Sequence, residues 1–198
     1  MALPAAQLRR DARVERRRRR IVEAALALFA GQGYTVTSVD DIVTRARVSK
    51  SAFYEFFESK EDCFRELLTL EGGALIRDVL ADATTGHDHH ERLRLGITRF
   101  VLSCFERSDV ARLLIVESVG LSAGVEAIRH DLQAQFADAV AEEVRHAMTH
   151  DNFYADKDPV VFGRAVVGAV SDAVGYFLTH PGADADSLAA SLCRIFAP

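Results

Sequence analysis

Cysteine is scarce in this chain of 198 residues: Cys63, Cys104 and Cys193 are odd in number and lie on separate helical patterns. That scatter excludes a disulfide scaffold and a cysteine-based zinc site, and the three read as buried thiols. Long apolar runs are missing too. No stretch approaches the roughly 20 residues that span a bilayer, and the basic opening MALPAAQLRRDARVERRRRR has no secretory apolar core or cleavage site behind it. A cytoplasmic protein without a membrane partner is therefore expected. No nucleophile elbow, phosphate loop, HExxH or paired-carboxylate motif occurs, so neither an enzyme nor a cofactor is expected. His87, Asp88, His89 and His90 sit together in an expected loop over residues 84–90, but without a second cluster at ligand spacing, so no metal site is expected. Strand alternation is absent, and the chain reads as all-α, with about nine helices.

An overall excess of positive charge is also lacking, since the net charge is -5. Its distribution is informative. Residues 1–70 hold 13 basic against 10 acidic side chains, the remainder 11 against 19, and the first fifty 11 against 5. The footprint for a polyanion is therefore local. Its densest part is the run Arg16–Arg20; Arg16, Arg17 and Arg18 are candidates for salt-dependent contact with phosphates, and residues 1–15 read as a basic arm.

What the chain does contain is the segment Ser38 to Lys60, SVDDIVTRARVSKSAFYEFFESK. Ser38 followed by Asp41 is a capping signal that starts a helix near Val39. Val39, Ile42, Val43 and Ala46 form its apolar side. The pattern halts at Arg47-Val48, and Ser49 starts a third helix. At about 100° per residue, Ala52, Phe53, Phe56 and Phe57 gather on one arc while Lys50, Ser51, Tyr54 and Glu55 occupy the other. Two short helices, the second with an apolar back and a polar front, describe a helix-turn-helix whose second helix enters a major groove. Lys50 is placed to reach guanine, Ser51 a base edge or phosphate, and Tyr54 a phosphate. Lys60 sits in the first turn of a fourth helix capped by Ser59 and Asp62, where a cation is unfavourable unless a phosphate docks there.

With the amphipathic RRIVEAALALFAGQGY, then T-S-x-x-D-I and V-S-K-S-A-F-Y-E-F-F-E-S-K-E-D, the segment resembles the DNA-binding domain of the TetR family of transcriptional regulators over about residues 16–70. The resemblance implies phosphate contact by Thr37 or Ser38, base proximity for Lys50 and Ser51, and phosphate clamps at Tyr54 and Lys60; Ser49 is a further DNA-binding candidate. Two positions depart from it. Arg47 stands where the family usually has glycine in the turn, which implies strain on the order of 1 kcal/mol or a side chain that reaches DNA. Asp40 stands where a basic residue is common, and reads as a complement to the helix N-terminus.

Beyond residue 62 the pattern is helical throughout, with helices expected over about 91–107, 108–120, 124–149, 159–179 and 185–196. Three domains are expected: the arm 1–15, the helix-turn-helix domain 16–62, and a helical body 63–198. Gly72-Gly73 marks a possible kink. The helix after Pro159 is apolar all round and so must be covered on every side. The resemblance implies that it and the last helix pair with a second copy, and Phe162, Val166, Val170, Val174, Phe177, Leu188, Leu192 and Ile195 are the expected homodimer contacts. It also implies a small-molecule effector of unknown identity held in the body. Candidates are Phe100, Cys104, Phe105, Leu114, Glu117, Ser118, Leu121, Phe136 and Tyr176, with apolar walls favouring a hydrophobic or amphipathic molecule. The implied function is a repressor released from a palindromic double-stranded operator, with an activator of the same fold as the alternative. A sequence-indifferent DNA-packaging protein fits the arginine run but not the capped, polar-faced helix.

Overall fold

The computed structural model describes residues 5–180, 182 and 184–198, with side chains from residue 12 onward. Of the basic arm expected over residues 1–15, residues 1–4 fall outside these, as do the side chains through residue 11. Among the described residues there are nine α-helices, one π-helical segment and no strand. The helices are α1 (Ala5–Gln32), α2 (Val39–Ala46), α3 (Lys50–Tyr54), α4 (Lys60–Ala83), α5 (His89–Glu106), α6 (Ser108–Ala111), α7 (Ala123–Ala147), α8 (Pro159–Thr179) and α9 (Ala185–Phe196), and the π-helical segment Arg112–Glu117 follows α6 directly. Two compact units divide at Leu67/Leu68, inside α4.

In the first unit, α1 starts at Ala5 rather than after an arm, so the arginine run is helical. The helix stops where Gly33 takes φ 93° and its N–H bonds back to the Phe29 carbonyl. Ile21, Ala25 and Phe29 bury one stripe against Ile42, Val43 and Ala46 of α2, Ala52 and Phe53 of α3, and Phe57, Phe64 and Leu67. Phe29, Tyr34 and Phe64 close the cluster, with ring centroids 5.0 to 5.4 Å apart. Only the apolar periodicity of four short elements is needed for this small core.

The second unit is built around α5, α7, α8 and α9, with Val101, Val144, Val170, Val174 and the fully buried Tyr154 at its centre. Backbone approach is close where α7 meets α8: a Cβ on Gly163 would lie 2.3 Å from the Ala137 carbonyl oxygen. Gly72 serves a similar end rather than a kink. Helix α4 runs through it unbroken, and a Cβ there would meet the Leu132 side chain at 2.4 Å.

Several expectations change. The helix expected over 108–120 is a single turn that widens into the π-helical segment, whose looser turn leaves side chains off the ordinary helical register. His89 and His90 belong to α5, because Asp88 caps it by accepting from the Glu91 N–H. Neither histidine is in a solvated loop: His89 pairs with Glu143 at 2.8 Å, and His90 with Asp151. Helix α8, 21 residues with a mean hydropathy of 1.4 over its most apolar window, is long and apolar enough to cross a bilayer, contrary to the expectation from run length. Arg164 and Asp172 interrupt its runs without lowering the average much, and both are exposed.

Candidate nucleic-acid interface and effector cavities

The N-terminal unit presents a polar face whose geometry follows from its caps. Ser38 accepts from the Asp41 N–H at 3.1 Å while Asp41 accepts from the Ser38 N–H at 2.8 Å, a reciprocal capping box that fixes where α2 begins. The Ser38 hydroxyl donates back to the same carboxylate, which holds Asp41 below the usual carboxylate range. Ser49 caps α3 by accepting from the Ala52 N–H at 3.2 Å. With Ala52 and Phe53 buried beneath, α3 turns Lys50, Ser51 and Tyr54 to solvent, and Tyr54 is 51% exposed.

Between the helices Arg47 has φ 53° and ψ 50°, the one left-handed residue other than glycine among those described. Its N–H bonds to the carbonyls of Val43 and Thr44, so the turn needs this conformation to close α2. The side chain is exposed.

Other expected contacts are already engaged. Thr37 is 1% exposed, and its hydroxyl donates to the Gly33 carbonyl at 2.8 Å while accepting from Gln32. A buried, doubly bonded hydroxyl is not available to a phosphate, so of the pair Thr37 or Ser38 only Ser38 lies at the surface. Lys60 points inward, donating to the carbonyls of Tyr34 and Thr37 at 2.8 Å each, with its ammonium 4.0 Å from the Tyr34 ring centroid. Partial burial lowers its pKa. The cation in the first turn of α4 thus ties off the chain end between α1 and α2, which the sequence could not distinguish from a phosphate clamp. Arg17 pairs with Glu55 at 2.9 Å, and Arg18 pairs with Glu66 and lies over the Phe57 ring. Arg16, Arg19 and Arg20 are exposed and make no ion pair among the described residues. With Arg13 and Arg17 they line a shallow depression.

Lys50 forms an ion pair with Asp40 at 3.0 Å, which raises its pKa. The acidic departure in α2 is therefore a direct partner of the base-proximal lysine. Sequence reasoning missed this relation, although the ten-residue spacing from α2 to the first residue of α3 contained it.

The C-terminal unit holds two sizeable cavities and a small one of about 50 Å³ beside Cys104. The first, about 570 Å³, brings together Phe100, Leu114, Phe136 and Tyr176 from the expected effector set, with Gln133 and Asp172 adding polar groups. The second, about 330 Å³, is walled by Val79, Leu93, Ile97, Val140 and Val166. Phe100 and Phe136 border both, as do Val167 and Ser171.

The other expected contacts line neither of the two larger cavities. Cys104 is buried in the core, where burial pushes its thiol up to about 12, and Phe105 packs beside it. Ser118 is buried and donates to the Leu114 carbonyl at 2.7 Å, a bond within the widened turn. Glu117 and Leu121 are half-buried beyond the walls. The π-helical segment shifts the register of Glu117, Ser118 and Leu121, whereas Cys104 and Phe105 precede it on α5. Ser171 and Asp172, the polar interruption of an otherwise apolar helix, were the sequence signal for the α8 wall.

The expected dimer contacts split in the same way. Val166, Val170, Val174 and Leu192 are 0 to 6% exposed within the unit's own core, so they cannot meet a second copy. Phe162, Phe177 and Leu188 are half-buried, while Ile195 is exposed. Because α8 is apolar all round, composition could not say which side faces in. The outward side carries Val161, Ala165, Gly168, Ala169 and Tyr176, and a Cβ on Gly168 would meet nothing within 4 Å.

Residues 21–67 match the model of bacterial regulatory proteins of the tetR family. Those residues carry a TetR-type DNA-binding domain. Among its TetR-like relatives, the uncharacterized HTH-type transcriptional regulator YuxN of Bacillus subtilis is 32% identical over 97 residues, 49% of this chain and 33% of that protein. The chain thus matches about a third of that relative's length. The fold extends the TetR likeness over the body. The FadR regulator of Bacillus subtilis in complex with stearoyl-CoA superimposes with a TM-score of 0.82 at 17% identity, over 90% of this chain and 96% of that one. AibR in complex with isovaleryl coenzyme A and operator DNA does so with a TM-score of 0.77 at 21% identity, over 92% and 98%. At such identities these two likenesses establish the TetR-type architecture alone.

Proposed function

We propose that this chain is a sequence-specific transcriptional regulator that binds a palindromic operator as a homodimer and is released by a small amphipathic effector. The observation that carries the reading is the Ser49-capped helix α3, which buries Ala52 and Phe53 while holding Lys50, Ser51 and Tyr54 outward. A short helix so presented suits direct readout in a major groove, and the exposed Arg16, Arg19 and Arg20 supply sequence-independent phosphate attraction. The DNA-contacting set in this reading is Arg16, Arg19, Arg20, Ser38, Arg47, Lys50, Ser51 and Tyr54. A bacterial cytoplasmic location accompanies it.

The effector class is drawn from the solved neighbours, whose ligands are acyl thioesters of coenzyme A. Two apolar-walled cavities of a size suited to small ligands support extending that class to this chain. Effector binding shifts DNA affinity only if it favours one of two arrangements of the dimer. The test is anisotropy titration of the full chain against duplexes selected from random sequence, with scrambled DNA as competitor. A regulator retains at least about a thousand-fold preference for the selected site, and acyl-CoA weakens it. Equal affinity for both duplexes would instead fit a packaging protein. A reporter carrying the selected site then separates repression from activation.

A further inference from the structure

The two larger cavities of the C-terminal unit meet at one place. Phe100 of α5 and Phe136 of α7 stand edge to face there, ring centroids 5.4 Å apart and planes at 90°, and each ring borders both spaces. At that separation the rings are in van der Waals contact, so no alkyl chain passes until one of them turns. The rings are only half-buried, which leaves room for such a turn.

The two spaces differ in chemistry. Around the first stand Gln133, Asp172 and Arg129, but the guanidinium is spent on Glu126 and Gln133. Asp172 has no hydrogen bond or ion pair among the described residues. No uncommitted cation therefore faces this space, which opposes a carboxylate and suits a neutral carbonyl. Around the second the walls are largely apolar, and at its rim Arg92 pairs with Glu143.

We propose that the effector is a linear acyl thioester whose carbonyl stays in the first cavity and whose chain threads between Phe100 and Phe136 into the second, making this ring pair and the depth of the second cavity the chain-length determinant. This rests on the effector reading above. Gly96 offers an independent handle, because it lines only the second cavity and a Cβ there would make ordinary contacts, 3.6 Å from Ala83 and 3.9 Å from Val79.

The experiment is calorimetric titration of the full chain with butyryl-, octanoyl-, dodecanoyl- and stearoyl-CoA and with free stearate, for the parent protein, Phe136→Trp and Gly96→Leu. Folding of each is checked by circular dichroism. In the parent, affinity rises by roughly fourfold for each methylene lodged in the second cavity, then levels off. Both variants level off at a shorter chain, Gly96→Leu leaves butyryl-CoA binding within about twofold of the parent, and stearate binds at least about tenfold more weakly than stearoyl-CoA. A plateau at the same length in all three proteins overturns the threading path, even if thioesters bind and release DNA. Equal binding of stearate overturns the neutral-carbonyl assignment. No binding of any thioester by the parent, with operator affinity unmoved, overturns the effector reading itself.

Discussion

Arg47 occupies backbone that an L side chain adopts at a cost of roughly 1–2 kcal/mol, and glycine adopts it freely. Arg47→Gly is expected to stabilise the N-terminal unit by about 1 kcal/mol in denaturant unfolding. If the arginine also reaches a phosphate, the same change lowers operator affinity and flattens its salt dependence. Lys60 gives the opposite pattern. Removing its ammonium leaves two carbonyls without their donor, so Lys60→Ala should cost about 1–3 kcal/mol of stability. Tyr54→Phe, which loses one exposed hydroxyl, should weaken all duplexes similarly with the melting temperature unchanged. Acid acts through Asp41: because Ser38 holds its pKa below the ordinary value, the capping box stabilises α2 above that value, and the contribution disappears as pH falls through Asp41's own lower pKa. An Asp41→Asn variant should show a flatter dependence of melting temperature on pH in that window. A melting profile identical to the parent's would count against the box.

At the scale of the helix, contact distance decides what a substitution does. Gly163→Ala sets a methyl against a backbone carbonyl of α7, which cannot swing aside, and overpacking of this kind costs about 1–3 kcal/mol or more. Gly72→Ala meets only the tip of Leu132, which can change rotamer, so its loss should be the smaller in thermal melts. A larger loss at Gly72 would show that the α7–α8 approach has slack the distance does not reveal. Helix starts were the legible part of this fold, because Ser38, Ser49 and the Asp158-Pro159 pair act on the backbone next to them. Orientation was not legible where the local signal is symmetric: Val166, Val170 and Val174 read the same as Val161 and Ala165 until a neighbour is in place. The π-helical segment was hidden for a related reason, since RLLIVE is compatible with either turn width. Of the candidate contacts, the outward positions of Lys50, Ser51 and Tyr54 were legible by their arc, whereas the inward bonds of Thr37 to Gly33 and of Lys60 to Tyr34 and Thr37 leave no mark in a short motif.

For the molecule as a whole, α8 poses the largest unmet demand. Only 22% of its most apolar window is buried within the single chain, and Val161, Ala165, Gly168 and Ala169 are exposed beside Arg164 and Asp172. A second copy laid across Val161, Ala165 and Gly168 would cover it, and close approach at Gly168 costs nothing sterically. Val161→Glu is expected to convert a dimer into a monomer in light scattering at micromolar concentration, and to reduce operator affinity by losing simultaneous engagement of two half-sites. A parent protein that is already monomeric would remove the basis for the palindrome.

The inward ammonium of Lys60 has a practical corollary. The chain has only three lysines, Lys50, Lys60 and Lys157, against 21 arginines. Lys50 stands on the reading helix, Lys60 under the chain crossing in the N-terminal unit, and Lys157 beside Asp156 in the other unit. An amine-specific acylating reagent followed by mass spectrometry therefore returns three separate signals from one sample. Protection of Lys50 by duplex would report groove occupancy, modification of Lys60 would report opening of the head, and Lys157 would serve as the internal standard.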